Sequence, residues 1–204
     1  PYWVTYPELA KFCGAKNVFV ETKPENGYKM TAEELEKAIT PKTKLLILNS
    51  PNNPTGAVYS REELSAIADV VLSRDGIFVV SDEIYRDLVY DGEKHVSIAS
   101  LGEEIKSRTI IIDGMSKSYA MTGWRTGWAI APEKIANAMT RAQSHMTSNV
   151  NSIAQYASLE GLTNTEKSDE FIAEMRKTFD FRRRAAVKIL EDRGVKFIMP
   201  KGAF

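Results

Sequence analysis

Lys117 sits in "DGMSKSYAMTGWRTGW" (113–128) among small residues, Gly114, Ser116 and Ser118, with Arg125 eight positions later between Gly123 and Gly127. A lysine after a strand is ordinarily a solvent-exposed charge. The same amine beside a bound carbonyl compound is a Schiff-base nucleophile, and small neighbours let a flat ring approach the backbone. Arg125 reads either as a surface arginine or as a planar fork suited to a phosphate. Asp82 ends an apolar run, with Glu83 beside it and Tyr85 three positions on. Adjacent acids at a strand end can cap the next helix or face water. A buried carboxylate needs a cationic partner instead, and a protonated ring nitrogen would serve. "NNPTG" (52–56) has the composition of a turn.

These residues need elements to bring them together. Four short apolar runs predict buried strands: "KLLILNS" (44–50), "GIFVVSDE" (76–83), "RTIIIDG" (108–114) and "GWAIAP" (127–132). Two capping boxes, Thr31 with Glu34 and Ser60 with Glu63, start helices, the second of them stopped by Gly76. Two more helices fit between Pro132 and Leu162, broken at the turn "TSNVN" (147–151). A long one fits Ser168 to Arg193, with Ile172, Met175, Phe179, Ala186 and Ile189 on one stripe and Gly194 at its end. "VKFIMP" (195–200) then predicts a further strand. Strands alternating with helices predict an α/β fold with a mainly parallel sheet. Ligands bind outside the carboxyl ends of such strands, where "NSPNNPTG", "SDEIY" and "DGMSK" all fall.

Composition narrows the function classes. Hydrophobic residues at 43% and charged residues at 26% describe a globular chain, and 27 basic residues balance 27 acidic ones. Nothing in that balance draws the chain to nucleic acid or to an anionic membrane, so a small molecule or another protein is the expected partner. No run reaches the ~18–20 apolar residues of a membrane span, and Cys13 alone cannot form an internal disulfide, which predicts a cytoplasmic setting. His95 and His145, with one cysteine, make no metal site and read as surface or interface residues. "RRR" (182–184) reads as a solvated helix face, with Asp180, Glu191 and Asp192 to balance it.

Taken together, "PYWVTYPE", "NSPNNPTG", "SDEIYRDLVYDG", "SKSYAMTGWRTGW", "SNVNSIAQYA" and "PKGAF", in this order, resemble the class I and II aminotransferases. The resemblance is to their aspartate and aromatic branch, which are pyridoxal 5′-phosphate enzymes of fold type I. It implies a three-layer sandwich, with residues 1–166 part of the large cofactor-binding domain. Residues 167–204 would be a linker helix and the beginning of a smaller α+β domain. It implies further that Lys117 forms the internal aldimine with the cofactor and that Asp82 binds the pyridine nitrogen. Asn53 and Tyr85 would bond the phenolic oxygen, Trp3 would stack on the ring, and Arg125 with Ser116 would grip the phosphate. The peptide bond before Pro54 is expected to be cis. The implied activity moves an amino group between an α-amino acid, aspartate or an aromatic one, and a 2-oxo acid.

Two positions depart from the family pattern: Gly114 stands where relatives have a phosphate-contacting serine, and Thr126 where they have an aliphatic residue. Members of the family run to about twice this length, consistent with a multi-domain chain. The resemblance therefore implies a homodimer in the full-length protein and an inactive 204-residue piece. Related β-lyases and cyclopropane-forming synthases, and aminotransferase-like sensor domains of transcription regulators, share the same lysine and stay open as alternatives.

Overall fold

The computed structural model describes residues 1–204. Four strands form one sheet in the order β1 (Leu45–Asn49), β2 (Phe78–Asp82), β3 (Thr109–Gly114) and β4 (Gly127–Ile130). The first three run parallel, and β4 is antiparallel to β3. All four lie within the apolar runs that predict them. Helices α1 (Thr5–Phe12), α2 (Ala32–Ala38), α3 (Arg61–Leu72), α4 (Glu103–Lys106) and α5 (Met115–Ser118) alternate with the strands. Then follow α6 (Glu133–Met146), α7 (Ser152–Thr163) and α8 (Thr165–Asp192). The architecture is α/β with a mixed, mostly parallel sheet.

Both capping boxes form. Thr31 Oγ1 accepts from the Glu34 N–H while Glu34 returns a bond to the Thr31 N–H, and Ser60 with Glu63 repeats the exchange. Helix α3 buries Leu64, Ile67, Ala68 and Val71, one stripe at three- and four-residue steps, against Leu48 and Val79 of the sheet. Full burial of such Leu, Ile and Val side chains contributes about 1.5–3 kcal/mol each. The helix ends at Leu72 with Ser73 as cap, short of Gly76, whose φ of +72° serves the turn into β2 instead. The opposite sheet face is more open, with Leu45 48% and Ile47 37% exposed.

Helix α8 departs from its expected stripe. Ile172 is buried, and Met175 and Phe179 pack against Tyr85, Leu88 and Ala203, but the buried line continues through Val187 rather than Ala186 and Ile189. At 3.6 residues per turn, Arg183 lies on that line, four residues after Phe179 and four before Val187. It is therefore no solvated face: its side chain is only 7% exposed. Its guanidinium donates to Asp91, to Asp180 and to the Pro200 carbonyl, with the Tyr90 ring 4.7 Å away. These bonds hold the Asp91 carboxyl well below the usual carboxylate range.

Residues 195–200 are not a strand. The chain folds back instead: Gly202 makes a single antiparallel bridge with Val89, and the N–H groups of Lys201 and Gly202 both donate to the Gly56 carbonyl, at 2.8 and 2.9 Å. A Cβ on Gly56 would fall 2.5 Å from Pro200 Cβ, so this close pass requires glycine.

Candidate active site

Three strand ends supply the site. At the end of β2, Asp82 Oδ2 accepts the Tyr6 hydroxyl at 2.6 Å and Oδ1 accepts the Ile84 N–H at 3.2 Å. Burial, then the neighbouring Asp82 carboxylate, pushes the Tyr6 hydroxyl far above its ordinary pKa, so Tyr6 stays a proton donor to Asp82. Tyr6 stands on α1 and carries Trp3 edge-on against its ring, 5.4 Å between centroids. Trp3 itself is 43% exposed.

The turn after β1 is fastened to the same place. Asn49 Nδ2 donates to the Asp82 carbonyl, and Asn49 Oδ1 accepts the Asn53 N–H, both at 2.9 Å. Asn53 Nδ2 then donates to the Tyr85 hydroxyl at 3.3 Å. The Tyr85 hydroxyl is raised above its usual pKa, by burial first and by Asp82 second, against the opposing Asn53 bond. The Asn53–Pro54 bond is cis as expected, and Ser50–Pro51 is cis as well.

Lys117 lies on α5, the single turn that follows β3. Its Nζ is 5.6 Å from the Tyr85 ring centroid and 4.8 Å from that of Phe204, and the two rings meet edge to face. Ser116 shares this turn, and the adjacent Ser118 Oγ is buried without a partner. Gly114 has a packing reason: a Cβ there would come 2.8 Å from Gly127 Cα and 2.9 Å from the Thr126 carbonyl oxygen. No serine fits without a shift of β4. Arg125 is exposed in a left-handed conformation, φ 58° and ψ 46°, with one N–H given to the Thr122 carbonyl at 2.7 Å.

Asn53, Asp82, Tyr85 and Lys117 thus lie in one connected group, with Trp3 joined through Tyr6 and Ser116 and Arg125 flanking the Lys117 turn. Sequence reasoning missed Tyr6 and Phe204, although both stand in quoted motifs, three residues after Trp3 and at the end of "PKGAF". It also missed Asp113, whose buried carboxyl lies 3.1 Å from Arg86 Nε and accepts the Gly114 N–H. Burial raises Asp113 to about 6 in spite of Arg86 and the Gly114 bond. His95 is no surface residue: its Nε2 lies 3.0 Å from the buried Glu83 carboxylate.

A parallel sheet that presents an amine, a carboxylate and a tyrosine-bound amide at neighbouring strand ends is the arrangement of fold-type-I transaminases. The chain belongs to the aminotransferase class I and II family, whose model matches residues 1–204. It is 49% identical, over its whole length, to an aspartate aminotransferase of Bacillus subtilis, covering 51% of that protein. It is 45% identical to the aspartate/prephenate aminotransferase of Thermus thermophilus, covering 52% of it. Among solved structures, the Thermus thermophilus aspartate aminotransferase with maleate superposes with a TM-score of 0.96 at 44% identity, all of this chain against 52% of that one. The aromatic aminotransferase of Pyrococcus horikoshii superposes with a TM-score of 0.96 at 41% identity, all of this chain against 54%. The chain spans about half the length of the curated relatives it matches.

Proposed function

We propose that this chain is the cofactor-bearing part of an aminotransferase that moves an amino group between an α-amino acid, aspartate favoured, and a 2-oxo acid. The cofactor is pyridoxal 5′-phosphate. The observation that carries the reading is the convergence of Lys117 Nζ, Tyr85, Asn53 and the Tyr6-bound Asp82 at the strand ends. The names of the relatives favour aspartate. The full-length protein is a homodimer of the cytoplasm, with residues 1–166 in the large domain and 167–204 leading into a smaller one. No helix of this chain is long and apolar enough to cross a membrane.

The donor set fits that cofactor. Ser116, Arg125 and the unpartnered Ser118 hydroxyl offer hydrogen-bond donors near the Lys117 turn for a phosphate, and the bare Gly114–Gly127 backbone keeps that turn compact. When bound, the protonated pyridine ring supplies the electron sink for the carbanion left at the substrate Cα. Asp82 would balance the positive ring nitrogen, with Tyr6 holding the carboxylate in direction. Asn53 and Tyr85 would bond the ring's phenolic oxygen, and Trp3 would stack on the ring. Lys117 Nζ would be the amine that holds the cofactor, and when free it would take the proton from the substrate Cα as a base and return it as an acid.

The test is optical. Full-length protein with pyridoxal phosphate gives a visible band that borohydride fixes to Lys117 and that Lys117→Ala lacks. An unlabelled Lys117 after borohydride would refute the assignment. A panel of amino acids with 2-oxoglutarate as acceptor then ranks the substrates.

A further inference from the structure

Behind Asp82, on the other face of β2, lies a buried polar cluster that none of these roles uses. Glu83 is 4% exposed. Its Oε1 accepts the hydroxyls of Ser81 at 2.8 Å and Ser97 at 2.7 Å, and its Oε2 lies 3.0 Å from His95 Nε2. A carboxylate only accepts, so all three side chains donate. His95 Nδ1 is buried with no partner, so the ring's bonding is through Nε2 to Glu83 alone. Burial pushes the Glu83 carboxyl up, but the bonds from His95, Ser97 and Ser81 outweigh it and leave the group below its ordinary value.

An apolar side chain of the same volume would fill this place at less cost than a buried charge. What a carboxylate adds is direction, since hydrogen bonds are angular and packing is not. The backbone is fastened at the same residue: the Glu83 N–H donates to the Ile112 carbonyl at 2.9 Å, and the Glu83 carbonyl accepts from Arg86 at 2.8 Å. Successive strand residues point to opposite faces, so holding Glu83 fixes the direction in which Asp82 leaves the strand.

We infer that Glu83 is a positioning residue for Asp82, its bonds to Ser81, His95 and Ser97 locking the end of β2 so that the Asp82 carboxylate meets Tyr6. The consequence for cofactor affinity rests on the function proposed above; the lock itself is visible without the cofactor. Tyr6 is its reporter, because its hydroxyl bonds Asp82 directly.

The experiment uses full-length protein labelled at tyrosine Cζ with carbon-13, in the cofactor-free form, with the Tyr6 resonance assigned by loss in Tyr6→Phe. Glu83→Ala is expected to move the Tyr6 resonance and to weaken pyridoxal phosphate binding roughly tenfold, the scale on which second partners of a ligating side chain act. Glu83→Gln keeps an oxygen for both serine hydroxyls but turns an amide N–H toward His95 Nε2, which moves the ring proton to the partnerless Nδ1, and is expected to restore the resonance and the affinity in part, short of wild type. If Glu83→Ala does not fold, Ser97→Ala removes one bond and moves the resonance the same way. A Tyr6 resonance unmoved in the alanine variants, whatever their melting temperatures, overturns the inference and leaves Glu83 a packing residue. Wild-type protein that binds no pyridoxal phosphate while its Tyr6 resonance responds to Glu83→Ala refutes the cofactor reading and supports the lock.

Discussion

Two basic side chains of this molecule lie over aromatic rings, and they are used in opposite ways. Arg183 sits 4.7 Å from the Tyr90 ring with its donors given to Asp91, Asp180 and Pro200. Lys117 lies beside the edge-to-face pair of Tyr85 and Phe204, with rings rather than carboxylates as its neighbours. A saturated cation ties distant segments together. An amine tied to no carboxylate keeps its nitrogen accessible to an incoming carbonyl carbon, as a nucleophile requires. The same contrast separates Asp91, ringed by Arg183, Arg184 and Lys201, from Asp82, which holds a single tyrosine proton and one backbone N–H.

Lys117→Ala tests the contrast hardest. In the full-length protein it is expected to lower transamination by about 10³-fold or more, since it removes nucleophile and proton carrier together. Stability should change by less than about 1 kcal/mol, the size of a lost cation–π contact. Measuring turnover beside the melting temperature checks both halves.

Arg183→Ala is the mirror experiment. Asp91 keeps Arg184 and Lys201 and Asp180 keeps Arg184, so the loss of Arg183 is expected to cost about 1–3 kcal/mol, below the cost of a buried carboxylate left unpaired. The cofactor band should stay in place. A displaced band with unchanged stability would erase the distinction between the two cations.

Asp113 and Asp91, both paired with arginine, should respond to pH with opposite sign. Asp113 titrates near 6 in the fold against 3.8 in the unfolded chain, so the fold favours its neutral form. Its contribution is most favourable below pH 4, declines as pH rises through 6, and amounts to a penalty of about 3 kcal/mol at pH 8. Asp91 is depressed, so its contribution is present above the unfolded value and is lost as pH falls. Asp113→Asn is expected to raise stability at pH 8 by about 1–3 kcal/mol and to flatten the pH 4–6 slope, as melting temperatures across that range would reveal. The smallest effect belongs to a cap far from either cation: Ser60→Ala should cost about 1 kcal/mol with no change in cofactor binding.

Much of this was legible in the sequence because it is local. Strands are announced by runs of apolar residues, and Thr31–Glu34 and Ser60–Glu63 close their boxes within one turn. The site residues Asn53, Asp82, Tyr85 and Lys117 follow strands, so strand position and family resemblance point the same way. What escaped depends on partners far along the chain. Arg183 reads as surface charge until Asp91, from an earlier loop, is brought under it, although its place between Phe179 and Val187 was a periodicity signal. His95 reads as exposed until Glu83 turns inward. "VKFIMP" has the composition of a strand, but Val195 gives its N–H back to Leu190, and the donors just beyond Pro200, on Lys201, Gly202 and Ala203, go to Gly56 and Leu88. Tyr6 precedes the sheet, and no local rule aims it at a residue 76 positions away.

The carbonyl of Gly56 carries one more consequence. Its two lone pairs are both spent on the chain end, at Lys201 and Gly202, while the turn it belongs to holds Asn53 against Tyr85. In mechanical terms the chain end and the turn are bolted together through one oxygen atom. Phe204 and Tyr85 meet edge to face beside the Lys117 amine, so that oxygen joins the turn that holds Tyr85 to the segment that carries Phe204.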